Sequence, residues 1–385
     1  MINFTVTKKD GPTMGFATMC KNEEHCIKDT LESVYRYIDY WVVCDTGSTD
    51  RTKEIVREFF AEKGIPGELV EHEWVGFDHN KSLMMEYVFD KTDYLLHLDA
   101  DDILAGDFSF TAEDAGFDNY YMIMKRGTST YKATVVYNNR LHWKFCGTAH
   151  TIIKCLEKQN YSTGDLSERG WVICDPVGSR AFDPKKYFYD AEKLKRQFFD
   201  TLLDDPHNLN RRSAFYTAQS YMDCGMFHES IKWNRLYLNL QNTWDEERFE
   251  AQMRVALCMI NLKYATQIII DEMEKAIEIF PDRVEPIYHL GKYLVGAGEH
   301  EKAYNYLLKG TKLEFSAVKD KYILFLNENC YGNNLYDDLS VACFWTGRYQ
   351  EGLNYLNQIL DLPAFAHTSE RLLLNVQHFK DRMES

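Results

Sequence analysis

The chain has 385 residues, 45% of them hydrophobic and 27% charged, which is enough apolar material for two, or three, folded domains. Its 44 basic and 59 acidic side chains leave a net charge of −15, a surface that repels phosphate backbones and so excludes nucleic acid as an expected partner.

In chain order, the opening MINFTVTKKDGP has no apolar core of signal-peptide length, and no later run approaches the roughly 20 apolar residues of a membrane span. A soluble, cytoplasmic protein is expected. Met14 to Cys20 reads as a short buried strand. Asn22 to Ile38 follows as a helix with Ile27, Leu31, Val34, Tyr35 and Ile38 on one stripe. Trp41 to Cys44 is a second strand. Ser48, Thr49 and Asp50 are N-cap residues for a helix that turns Ile55, Val56, Phe59 and Phe60 inward and closes at Gly64. Glu68 to Glu73 is a weaker strand, Asp78 to Phe89 a helix, and Tyr94 to Leu98 a buried strand. Such alternation predicts a parallel sheet with right-handed crossovers, whose ligands bind beyond the carboxyl ends of the strands. Tyr120 to Lys125, Tyr131 to Tyr137 and Thr151 to Cys155 predict an antiparallel extension, and the first domain is expected to span residues 1–183. The 10 cysteines include no C-x-x-C pair, and several lie in apolar runs, which fits buried thiols in a reducing compartment.

The run Leu98-Asp99-Ala100-Asp101-Asp102 delivers three carboxylates at the end of a buried strand. In extended geometry Asp99 and Asp101 share a face, where they repel one another unless a cation intervenes. Hard oxygen donors suit Mg²⁺ or Mn²⁺, ions that also take phosphate oxygens, so a metal-bridged diphosphate is the simplest ligand. Asp45 ends the second strand before a turn through Gly47 and can accept hydrogen bonds from a nucleobase or ribose. Lys81 stands near a helix start, where it suits a phosphate. His97, inside an apolar strand, reads as a satisfied core residue.

Taken together, Cys20-Lys21-Asn22-Glu23-Glu24, Asp45-Thr46-Gly47-Ser48-Thr49-Asp50, Asn80-Lys81-Ser82 and Leu98-Asp99-Ala100-Asp101-Asp102 resemble glycosyltransferase family 2 with its GT-A fold. Weaker echoes follow in Gly147-Thr148-Ala149-His150 and Gly178-Ser179-Arg180. The resemblance implies a metal-dependent, inverting transfer from a nucleotide-diphosphate sugar, a UDP-sugar by expectation, to a peptide, protein or glycan acceptor. It implies that Thr18, Asp45, Lys81, Asp99 and Ala100 contact the donor. Asp99, Asp101 and His150 would hold Mn²⁺ or Mg²⁺. Asp102, His150, Asp175 and Asp183 are the candidates for the base, with His150 and Asp102 foremost, although Thr151 stands where related sequences often carry Glu. Lys81 stands where they often carry Arg.

From Pro184 onward strand signals vanish. Ser213 to Gly225 with Phe227 to Leu240, Glu285 to Gly298 with His300 to Lys309, and Leu339 to Gly347 with Tyr349 to Leu360 read as helix pairs around a turn glycine. They resemble tetratricopeptide repeats, with Ala303 at the small position of a second helix and Ser230 and Gly352 replacing it elsewhere. Residues 184–385 are therefore expected to form an all-α repeat domain whose face binds a polypeptide acceptor, pairs with a second copy in a homodimer, or braces the catalytic domain. A non-catalytic interaction protein built on a decayed GT-A domain is the alternative. A nucleotidyltransferase is disfavoured because no Gly-rich basic loop follows the first strand.

Overall fold

A computed structural model of the protein describes residues 11–127, 129–360, 362 and 369–384. Most of the N-terminal stretch discussed above, residues 1–10, lies outside them. The chain divides into two compact units, Met1–Ser213 and Ala214–Ser385. This division falls later than the expected one at 183/184.

The first unit alternates as the pattern predicts. Strands β1 (Met14–Cys20), β2 (Tyr40–Asp45), β3 (Gly67–Glu71) and β4 (Tyr94–His97) are joined by helices α1 (Ile27–Val34), α2 (Thr52–Lys63) and α3 (Phe77–Val88). The four strands lie parallel in the order β3-β2-β1-β4. Beyond them come β5 (Ile103–Ala105), β6 (Asn119–Arg126), β7 (Ser129–Asn138), β10 (Thr163–Asp165) and β11 (Trp171–Ile173). Antiparallel pairings of β7 with β4 and β6 extend the sheet, and β8 (Trp143–Cys146) and β9 (Ile152–Cys155) form a separate hairpin. Successive side chains point to opposite faces. Phe16, Val43 and Leu96 therefore join Leu31 and Phe60 in one core, while Ala17, Val42 and Leu95 join Met84 and Val88 in the other. Burial on both faces explains why these strands read as continuous apolar runs.

Two expectations change in detail. The helix expected from Asn22 begins only at Ile27, because Asn22 takes a left-handed φ of 57° and the residues after it bond to the loop that follows β2. Ser48 and Thr49 do not cap α2. Ser48 Oγ accepts the Asn22 N–H and the Thr49 N–H donates to Asn22 Oδ1, while Asp50 accepts the Thr52 N–H. Gly64 closes α2 with a φ of 68°, as read.

Helix α4 (Lys186–Asp200) belongs to the first unit, and α5 (Leu209–Asp223) crosses the division. The second unit continues with α6 (Phe227–Asn239), α7 (Asp245–Asn261), α8 (Thr266–Ile279), α9 (Glu285–Gly296), α10 (His300–Gly310), α11 (Phe315–Val318), α12 (Asn333–Trp345), α13 (Tyr349–Ile359) and α14 (Ser369–Glu384). All three expected helix pairs form, and the pair α7 and α8 adds another. Small residues let paired helices approach closely. A Cβ on Gly291 would lie 2.3 Å from Leu307, and one on Gly352 would lie 2.5 Å from Phe379.

One segment of the second unit departs from the repeat pattern. Residues 321–331 run across α7 and α9 and are held by their main chain. Glu246 accepts the N–H groups of Ile323 and Leu324 at 2.9 and 2.7 Å. Arg283 donates to the carbonyls of Leu324 and Phe325 at 3.3 and 3.2 Å, and Glu285 accepts the Asn327 N–H at 3.1 Å.

Candidate functional site

The parallel strands bring the motifs to one edge. Register sets Cys20 opposite Asp45, and β4 ends beside β1 just before Asp99. Asp45 is fully buried. Its Oδ1 accepts the N–H groups of Gly47 and Ser48 at 2.9 and 2.8 Å, and the Cys20 thiol donates to Oδ2 across 3.7 Å. The carboxylate thus shapes the turn, which Gly47 permits with a φ of 102°. The loop after β1 and the loop after β2 are laced together. The Asn22 N–H meets Ser48, the Glu23 N–H meets Thr52, the Glu24 N–H meets Asp50, and the Arg51 N–H meets Glu24. This lacing ties the two motifs together in space.

The acid run sits at the same edge. Asp99 Oδ1 accepts from Lys81 Nζ at 2.6 Å, and the ammonium holds the Asp99 carboxyl below its ordinary range. Asp99 is 57% exposed. Asp101 accepts the Gly178 N–H at 2.9 Å; burial, and then the charge of Asp99, push its carboxyl up. Asp102 is buried and accepts the Asp99 N–H at 3.2 Å. Burial, followed by Asp99 and Asp101, raises its carboxyl well above the usual carboxylate range. Like charges therefore crowd together, with Lys81 paired directly to Asp99.

The other expected site residues are distributed less simply. Ala100 turns its methyl into the core, and its carbonyl accepts from Thr30 at 2.8 Å. Thr18 is fully buried, and its hydroxyl finds no hydrogen-bond partner among the described residues. Neither offers open surface toward a ligand. His150 is exposed at a left-handed φ of 48°, and its carbonyl accepts from Arg212 Nε at 2.7 Å. Asp175 is exposed and accepts the Gly127 N–H, and Asp183 accepts the Lys185 N–H. His97 is a satisfied core residue. It bonds the Ala17 carbonyl at 3.0 Å, and burial, then Lys81, lowers its imidazole to about 4.

Among the described residues, one group of three His, Cys, Asp or Glu side chains has its ligand atoms within 4.8 Å of one another, namely Glu23, His25 and Cys26. Asp99, Asp101 and His150 do not form such a group. Glu23 acts as a clasp, since it accepts the N–H and hydroxyl of Ser179 and the Cys26 thiol, while His25 meets the Val177 carbonyl.

That clasp delivers residues the motif reading missed. Lys186, at the start of α4, lies near Arg180 and Arg126. Burial, then these two guanidinium groups, lower its ammonium, and it acts in turn on Asp99 and Asp101. Arg180 pairs with Asp190 and lies 5.0 Å over the Phe77 ring. Gly178-Ser179-Arg180 hinted at this wall, whereas nothing local marked Lys186.

Residues 16–159 match the family described as glycosyl transferase family 2. Such a domain supports a glycosyltransferase. No curated protein matches the chain. Among solved structures, TarS residues 1–349 from S. aureus are 13% identical, with 70% of this chain and 89% of that one covered and a TM-score of 0.33. A tetratricopeptide repeat protein from Parabacteroides merdae is 13% identical over 52% of this chain and 69% of its own, with a TM-score of 0.37. YrrB, described as a TPR protein with an unusual peptide-binding site, is 13% identical over 49% and 91%, with a TM-score of 0.33. No helix among the described residues is long and apolar enough to cross a membrane.

Proposed function

We propose that the protein is an inverting, metal-dependent glycosyltransferase that takes its sugar from a UDP-sugar. The observation that carries this reading is the crowding of Asp99, Asp101 and Asp102 at the carboxyl edge of the family-matched sheet, with the Asp45 turn beside them. The donor set fits a hard divalent cation. Its oxygens are carboxylates, and the upward push on Asp101 from its neighbour is the repulsion that a cation relieves. Asp99 and Asp101 would hold Mn²⁺ or Mg²⁺, which when bound would neutralise charge on the departing nucleoside diphosphate; His150 is not gathered with them.

The chain's own groups supply the rest. Asp45 and the laced loops form the wall for the base and ribose. Lys81, Lys186 and Arg180 set fixed positive charge where the diphosphate leaves, at no reorganisation cost during reaction. Asp102, buried and pushed up, is our choice of base to take the proton from the acceptor, ahead of His150. The intact Asp45, Asp99 and Asp101 speak against a decayed, non-catalytic domain. The test is release of nucleoside diphosphate from a panel of nucleotide sugars, with and without Mn²⁺. Metal-dependent release from a UDP-sugar is expected. No release from any member, or release indifferent to metal, would refute the reading.

A further inference from the structure

The acceptor needs a path to the carboxylates, and the first unit provides a groove along one face of α4. It has a volume of about 780 Å³ and runs from Arg180 and Asp183 to Phe199 and Asp200. Lys186, Tyr189, Lys193 and Arg196 follow one another at helical spacing and share a stripe. At about 1.5 Å rise per residue, Lys193 lies about 10 Å and Arg196 about 15 Å along the axis from Lys186. Gly178, two residues before Arg180, donates its N–H to Asp101 Oδ2 at 2.9 Å, so the near end of the groove lies beside the acid run. The far cations lie too distant to serve a diphosphate held there.

Five cations line the groove against three acids, Asp183, Glu192 and Asp200, which leaves a positive excess. Lys195 pairs with Glu192 at 3.5 Å, but Lys193 and Arg196 form no ion pair within 4.0 Å among the described residues. Both are exposed, and Tyr189 and Phe199 beside them are 47% and 55% exposed. Within a chain of net charge −15, a stripe of unpaired cations interleaved with aromatic rings is a local reversal of sign. The second unit offers no equivalent at Glu246, Arg283 and Glu285, which already hold the main chain of residues 323–327.

We propose that this groove receives an acidic, extended polypeptide as the acceptor. A chain in polyproline II geometry advances about 3.1 Å per residue with three residues per turn, so acidic side chains at every third position share a face and match the roughly 10 Å from Lys186 to Lys193. The aromatic rings meet the residues between. The proposal takes its purpose from the glycosyltransferase reading, but its test does not depend on that reading.

A fluorescein-labelled peptide with Glu at every third position is titrated against the full chain by anisotropy, beside the same peptide with Gln at those positions. The acidic peptide binds at least about tenfold tighter than the Gln peptide, and the double variant Lys193→Glu with Arg196→Glu loses that advantage. Both sites are exposed, and an unchanged melting curve verifies that the variant folds. Equal binding of the two peptides, or an acidic peptide indifferent to the double variant, overturns the proposal. Heparin binding more tightly than the acidic peptide would also overturn it, in favour of an anionic glycan. UDP with Mn²⁺ is titrated separately against the unaltered chain; its failure to bind would remove the donor reading and leave the peptide result standing.

Discussion

The two units hold clustered acid with different partners. At the sheet edge Asp99, Asp101 and Asp102 crowd together, one lysine pairs with Asp99, and the other two carboxyls are pushed up. In the helical unit Glu246, Glu250 and Glu285 are buried, and Arg283 lies between Glu285 at 2.9 Å and Glu250 at 3.7 Å, while Arg254 lies 3.8 Å from Glu250. Backbone amides of the chain itself meet Glu246 and Glu285. Arginines and amides of the chain itself meet the helical acids, whereas at the sheet edge we propose that an outside cation completes the set.

The largest expected break lies at the sheet edge. Asp101→Ala should reduce metal-dependent donor cleavage at least about a thousandfold while leaving thermal unfolding unchanged. Cleavage at the unaltered rate would show that the crowding has no catalytic meaning. In the helical unit the same kind of deletion should instead cost stability. Arg283→Met strands Glu285 and two carbonyls, and should lower unfolding free energy in urea by about 3–5 kcal/mol. Unaltered stability would mean that the network is not structural.

Glu250 sharpens the contrast through pH. Burial, opposed by Arg254 and Arg283, leaves its carboxyl raised to about 7. The folded state then binds more protons than the unfolded state between pH 4.5 and 7, so this group's contribution falls as pH rises through that window. The stability difference between the unaltered chain and Glu250→Gln should shift by roughly 3 kcal/mol across it, in favour of the variant at the upper end. A pH-independent difference would place the carboxyl in its ordinary range. The smallest effect is positional. A Cβ at Gly178 would lie 2.6 Å from Asp101 Oδ2, at a φ of −62° that any residue adopts. Gly178→Ala should therefore lower donor cleavage by about tenfold through displacement of Asp101, with stability nearly unchanged. Full activity would show that the Gly178 contact does not orient the carboxylate.

The four parallel strands of the first unit and the helices between them were legible because burial on two faces writes apolar runs and stripes that depend on local spacing alone. The acid run and the Asp45 turn were legible for the same reason, since each lies within a few residues of a strand end. The three repeat pairs were visible through their turn glycines. Helix α7 was not, because its buried face carries Glu246, Glu250 and Arg254, which read as solvent-facing until their partners are known.

What the sequence determined by itself was the alternation of elements, the order of the motifs and the acids at the strand tip, because each is set by neighbours along the chain. Tertiary structure alone decided that Asn22, Glu23 and Glu24 lace one loop to another, that Gly178 orients Asp101, that Lys186 joins the site, and that residues 321–331 hold to the faces of α7 and α9. Those outcomes depend on hydrogen bonds and charges between residues far apart in the chain, and only folding brings them within reach.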